Sequence, residues 1–233
     1  MENALVGLPE LRHRLKAAAD PARAPAMRAY MRDRFDFLGV AAPARRKAAG
    51  PWIKSHDAAG PDRWLELTEA LWRQPEREFQ YVAVDLLARH AARLPASALP
   101  RLLALVSDKS WWDTVDGLAA WIVGELVRAR RELQADMDRL AGDGDFWLRR
   151  VAILHQLYWK RETDTERLFR YCAANAADPE FFIRKAIGWA LREYAYTDAE
   201  AVRGFVASTA LSPLSRREAL KRIQQKPLPA KEA

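Results

Sequence analysis

The sequence predicts an all-α protein, a HEAT-like α-solenoid of stacked antiparallel helix pairs with a concave face. Three observations carry that prediction. Apolar residues recur at helical spacing along most of the chain, whereas strand-like alternation and hairpin turn pairs are scarce. Helix breaks fall at stretches rich in Pro, Gly, Asp and Ser, such as GPDRW, RQPEREF, LPASALP, AGDGDFW, ADPEFF and LSPLSRR. A repeat also runs through the chain. The stretches YVAVDLL, TVDGLAA, RVAILHQ, KAIGWAL and EALKRI align on Ala83, Asp116, Ala152, Ala186 and Ala219, at spacings of 33, 36, 34 and 33 residues.

Between these helices lie shorter amphipathic ones: WLELTEALW, LPRLLALV, LQADMDRLA, TERLFRYCAA and EAVRGFVA. Two helices per roughly 35 residues is the signature of an α-solenoid. A single pair cannot bury its own apolar face, so pairs stack, and stacking sets equivalent helices side by side on one concave face. Residues 1–225 read as a single repeat domain, and the tail KPLPAKEA, 226–233, as disordered. In ADPEFF, Asp178 reads as an N-cap, with Pro179 in the first helical position and Glu180 following.

Composition narrows the function classes. The 233-residue chain carries 38 Lys and Arg against 31 Asp and Glu, a net charge of +7. That balance suits an anionic partner, whether nucleic acid, a phosphorylated ligand or an acidic membrane surface, and does not choose among them. Cys172 is the only cysteine, which excludes an intrachain disulfide framework and Cys-based zinc sites. His13, His56, His90 and His155 are scattered, with no HExxH pair, and there is no GxGxxG or GxxxxGK[ST] phosphate loop. Neither a cofactor nor a metal is expected. The N-terminal stretch MENALVGLPELRHRLK lacks the hydrophobic region of a signal peptide, and no apolar run approaches membrane-spanning length. The expectation is a cytoplasmic protein that makes no membrane contact and acts as a monomer.

Three helices carry residues that packing alone does not explain. In SDKSWWDTVDGLAAWIVGELV, Trp111, Val115, Leu118 and Ile122 form one narrow core stripe. Ser110 and Asp113 read as a capping box, which accounts for Asp113. Trp112 and Asp116, four residues apart, share the edge of the stripe, where a partly desolvated carboxylate sits beside an indole. From this helix alone, a surface Asp next to a packed Trp is the better fit. In DFWLRRVAILHQLYW, Phe146, Ile153, Leu154 and Leu157 define the apolar face. Arg149 points away from it. Arg150 falls within it, and a guanidinium there needs a carboxylate, a phosphate or water. Asp116, one repeat earlier, is a candidate neighbour. In PEFFIRKAIGWALREYA, the core face is Ile183, Ala186, Ile187, Ala190 and Tyr194. The other side carries Phe181, Lys185, Gly188, Trp189 and Arg192. An aromatic flanked by cations suits nucleic acid, the cations meeting phosphate and the ring meeting sugar or base. A Trp packed on the next repeat among solvated charges is the plainer alternative. These residues occupy corresponding helices of three consecutive repeats, so Trp112, Asp116, Arg150 and Trp189 are expected on one face.

The chain resembles the DNA alkylation repair family of AlkD-like DNA glycosylases. The matching stretches are PAMRAYMRDRFDFLGVAAPARR, PEREFQYVAVDLL, KSWWDTVD, WLRRVAILHQL, EFFIRKAIGWALREYA and LSPLSRREALKRI, in order over residues 24–223. The resemblance implies a HEAT-like solenoid that holds duplex DNA in a basic concave groove and hydrolyses N3- or N7-alkylated purines, such as 3-methyladenine and 7-methylguanine, from it. It places catalytic roles on Asp116, Trp112, Trp189 and Arg150. DNA contacts are expected at Tyr30, Lys185 and Arg192. A non-catalytic solenoid that binds distorted or branched DNA, and a protein-interaction scaffold, are the rival readings.

Overall fold

The computed structural model describes residues 7–224, and the tail expected over 226–233 lies outside them. The described chain is helical apart from loops and one isolated parallel bridge, Asp36 to Glu76. It falls into two compact units, Met1–Arg101 and Leu102–Ala233.

The first unit contains α1 (Leu8–Ala17), α2 (Ala24–Tyr30), α3 (Ala42–Ser55), α4 (Pro61–Trp72), α5 (Arg77–His90) and the start of α6 (Leu99–Ser107). The apolar stripes of α4 and α5 pair, burying Trp64, Leu71 and Trp72 together with Phe79, Val82 and Leu86. Gln80 closes the turn between the two helices, its amide donating to the carbonyls of Leu71, Trp72 and Gln74 at 3.3, 3.1 and 2.9 Å. Glu78, fully buried, accepts the backbone N–H groups of Leu38, Gly39 and Val40 at 3.1, 2.9 and 3.0 Å. A buried carboxylate requires such donors, and here they fix the α2–α3 connection against α5.

The second unit continues α6 and adds α7 (Trp112–Gly117), a π-helical turn (Leu118–Val123) and α8 (Gly124–Ala129), which run on as one rod. It then alternates α9 (Gln134–Leu140), α10 (Phe146–Leu154), α11 (Thr165–Ala174), α12 (Phe181–Tyr194), α13 (Ala199–Ser208) and α14 (Pro213–Gln224). In each of the last three pairs the shorter helix packs on the longer one that follows, or on its neighbour, while α7, α10, α12 and α14 stand side by side in a row. These are the stacked helix pairs that the repeat predicts. Asp145, Asp164 and Asp198 cap α10, α11 and α13, each accepting an N–H from the first turn. Asp138 on α9 ties its pair to the next one by accepting from Arg167, Arg170 and Tyr171 on α11. Those donors hold its carboxyl down at about 2 against the opposing effect of burial.

Four of the five aligned repeat positions, Ala83, Ala152, Ala186 and Ala219, are buried alanines, each at most 1% exposed. Asp116 is the exception.

Several local expectations are corrected. The Ser110–Asp113 capping box does not form: Ser110 Oγ turns back to the Val106 carbonyl at 2.7 Å, and Asp113 accepts the N–H of Thr114 at 3.0 Å. The hydroxyl lies within reach of the last turn of α6, and satisfying that carbonyl takes precedence. The cap of α12 is Glu180, not Asp178. Glu180 accepts from the Phe182 N–H at 3.1 Å, while Asp178 accepts from the Glu180 N–H at 2.7 Å and pairs with Arg149 at 2.7 Å. Arg149 is therefore a tie between two loops. Gly188 lies not on an open side but against α14, where an added Cβ would stand 2.5 Å from the Glu218 Cβ and 3.1 Å from the Ser215 carbonyl oxygen.

The rod containing the π turn also depends on a glycine. A Cβ on Gly124 would stand 2.2 Å from the His155 carbonyl oxygen, and the Trp159 indole donates to the Gly124 carbonyl at 3.2 Å. Gly124→Ala is expected to lose about 2 kcal/mol of stability through overpacking against backbone. Gly204→Ala, in an exposed turn of α13 with nothing within 4 Å of the new methyl, is expected to gain up to about 1 kcal/mol. Urea denaturation of both variants measures the contrast.

Candidate active site

The site is built on the N-terminal turns of α7, α10 and α12. Trp111, the residue before α7, is 5% exposed and meets Trp147 of α10 and Phe182 of α12, with ring centroids 6.0 and 5.1 Å away. Trp147 and Phe182 stand 5.0 Å apart and complete the cluster. Trp147 fills the core place expected for Phe146, which is half-buried. Edge-on and tilted rings of this kind fix the three helices relative to one another.

Arg150, with its side chain 5% exposed, reaches across this row. Its Nε donates to Asp116 Oδ1 at 2.7 Å and its Nη2 to Oδ2 at 2.9 Å, while Nη1 donates to the Phe182 carbonyl. One guanidinium thereby joins α7, α10 and α12. A planar fork facing both carboxylate oxygens is the arrangement in which Arg has no equivalent among the cations.

Asp116 keeps 17% of its side chain open to solvent. Burial pushes its carboxyl above the ordinary range, and the nearby Asp113 adds to the rise, while the charge and hydrogen bonds of Arg150 work against it. Trp112 stands one turn earlier on the same face of α7, half-buried. Trp189, also half-buried, lies two turns after Phe182 on the same side of α12. The structure thus joins Asp116 to Arg150 directly and sets the two indoles on the helices that flank or carry them.

Lys185 and Arg192 are not isolated cations. Both meet Glu218 of α14, at 3.5 and 2.6 Å, and Lys221 approaches the same carboxylate at 3.6 Å. Burial alone would raise the Glu218 carboxyl, but the Lys185 and Lys221 charges and the Arg192 hydrogen bond hold it below its usual value. Three cations share one carboxylate, leaving a local surplus of positive charge. The sequence offered no sign of Glu218, because its partners lie a whole repeat away. Tyr30, at the end of α2 in the first unit, is 70% exposed and lines a cavity of about 480 Å³ with Met27, Met31, Phe37 and Tyr81. Two further aromatics escaped the sequence reading: Trp121 of the π turn and Tyr158, just beyond α10, are 48% and 42% exposed.

A family model for the DNA alkylation repair enzyme matches residues 11–223. A solved structure, "Predicted DNA alkylation repair enzyme from Enterococcus faecalis", is 32% identical, covers 89% of this chain and 98% of its own, and superposes with a TM-score of 0.83. A comparison with curated proteins returned no match. The chain belongs to the DNA alkylation repair enzyme family. No described helix is long and apolar enough to cross a membrane.

Removing one partner of the pair strands the other. Arg150→Ala is expected to cost about 3 kcal/mol at pH 7, since it leaves Asp116 buried without its cation. It should also raise the Asp116 carboxyl further. A group whose folded pKa lies above its unfolded value loses stability as pH rises through the folded pKa. The deficit of the variant relative to wild type should therefore shrink as pH falls from the raised folded value toward 4, the ordinary carboxylate range. Paired urea titrations at several pH values measure it; a pH-independent deficit would show that Asp116 is not the group responsible.

Proposed function

We propose that this protein is a DNA repair glycosylase that hydrolyses the N-glycosidic bond of N3- or N7-alkylated purines in duplex DNA, leaving an abasic site. The observation that carries the reading is Asp116: a largely buried carboxylate, gripped on both oxygens by Arg150 yet retaining an open edge, in a chain of the DNA alkylation repair family.

The chemistry suits such a group. An alkylated purine of this kind is cationic and already a good leaving group. As the bond from C1′ to the base nitrogen breaks, its electron pair neutralises the base and positive charge develops on C1′ and the ring oxygen of the deoxyribose. Asp116 stabilises that charge from a site with little solvent to screen it, and orients the water that attacks C1′. The water's surplus proton is then lost, leaving a hydroxyl on C1′. The carboxylates of sugar hydrolases provide the chemical analogy. A cationic leaving group lessens the need for a general acid. Arg150 offsets the effect of burial on Asp116, favouring its ionised form, and fixes its two oxygens. Trp112 and Trp189 offer π faces to the sugar and its developing charge. Lys185 and Arg192, with Lys221 beside them, face DNA phosphates, and Tyr30 is the DNA contact of the first unit. The catalytic unit is a monomer and uses no cofactor.

Base release from duplex DNA containing 7-methylguanine tests the reading. Wild type should release the base, and Asp116→Asn should slow single-turnover release by at least about 100-fold while duplex affinity stays close to that of wild type. An unchanged rate in the variant would remove Asp116 from the chemistry. Affinity for branched DNA without any base release would favour the non-catalytic solenoid.

A further inference from the structure

The π turn begins two residues after Asp116. Such turns are rare and occur frequently at functional sites. This one changes what the rod presents. In a regular helix Trp121 would stand about 140° around the axis from Asp116; the wider turn, with fewer degrees per residue, carries it back toward the Asp116 face. Trp121 is left 48% exposed, while its neighbours Ala120 and Ile122 are buried.

The indole stands near the hydroxyl of Tyr158, a residue just beyond α10 that is itself 42% exposed. Tyr158 is close enough to Asp116 and Glu193 to respond to both charges, which add to the effect of partial burial in raising its phenol above the ordinary value. At the pH of any plausible assay the phenol is therefore protonated. Its O–H is available as a donor. Tyr158 also lines a polar cavity of about 600 Å³ that contains Arg128, Lys160 and Arg161 alongside Glu125 and Glu162. Two large aromatics held half in solvent, the second beside Lys160 and Arg161, do not serve the core.

We propose that Trp121 and Tyr158 form a nucleotide subsite beside Asp116, in which the indole packs on the base or deoxyribose of a residue neighbouring the lesion and the Tyr158 hydroxyl donates to a phosphate oxygen of the same strand. The occupant is DNA because the subsite continues the face that carries Asp116, and because an aromatic face beside phosphate donors is the combination that binds a strand irrespective of its sequence. The inference rests on the glycosylase reading for what lies next to it, but its own consequence is binding.

The test uses the full chain and two fluorescein-labelled duplexes, one carrying a tetrahydrofuran abasic-site analogue and one carrying 7-methylguanine. Trp121→Ala is expected to weaken affinity for the analogue about tenfold, as loss of one stacking contact does, and Tyr158→Phe about threefold. Trp121→Phe should recover most of the affinity. On the 7-methylguanine duplex, Trp121→Ala should raise the enzyme concentration needed for half-maximal single-turnover release while leaving the plateau rate within about twofold of wild type. Quenching of indole fluorescence by the unlabelled duplex should diminish in Trp121→Phe. Undiminished affinity in both Trp121→Ala and Tyr158→Phe, or a fall in plateau rate without a fall in affinity, would overturn the subsite. Because the analogue has no base to release, its binding is read even if wild type proves inactive on 7-methylguanine, so failure of the glycosylase reading and failure of the subsite are separately visible.

Discussion

The bidentate contact between Arg150 and Asp116 is the constraint around which the second unit is arranged. Two opposite charges have been withdrawn from water, and neither is tolerable there alone. The guanidinium spends two donors on the carboxylate and a third on the Phe182 carbonyl, so its demand for acceptors is met only when α7, α10 and α12 all stand in register. A pair of this kind contributes little net stability over a hydrophobic replacement. Its effect is geometric: it admits one relative placement of three helices and penalises the rest.

The repeat explains where the pair sits. At the aligned position a buried alanine recurs at Ala83, Ala152, Ala186 and Ala219, because a small side chain lets neighbouring helices approach. Asp116 occupies that slot in the one remaining repeat, and Arg150, two residues before the alanine of the next repeat, supplies the counter-charge. The Trp111, Trp147 and Phe182 rings brace the same three helix starts with apolar contact. A polar clamp and an apolar one therefore act on the same helices. The Glu218 cluster makes a second polar clamp between α12 and α14, and there Gly188 permits the close approach.

Helical period, breaker residues and repeat spacing made the helix pairs legible in the sequence, because those signals are local and recur. Arg150 was legible for a related reason: a cation within an apolar stripe demands a partner, and the repeat named Asp116. What escaped reading was set by contacts distant in sequence. A π turn has no residue code of its own, and the glycine that follows it matters only because the His155 carbonyl lies against it. Lys185 and Arg192 read as open cations because Glu218 lies on the next repeat. Asp178 and Glu180 both have the chemistry of a cap, and Arg149 takes up the first.

The opposed influences on Asp116 bear on how such a site can act. A fully solvated carboxylate would hold its charge but act weakly on a neighbouring cation, because water screens it. A fully buried, unpaired one would act strongly but would take up a proton near neutrality. Burial with a guanidinium on both oxygens lies between these limits: the field stays poorly screened, while Arg150 resists the rise that burial causes. Arg150 also cancels part of that field. What survives depends on direction, strongest on the side away from the guanidinium, and 17% of the Asp116 side chain remains open. On the proposed reading, a sugar that becomes cationic only as its bond to the base breaks gains more from that residual field than the neutral sugar of the ground state does. Stabilisation of that kind raises the rate rather than merely tightening binding.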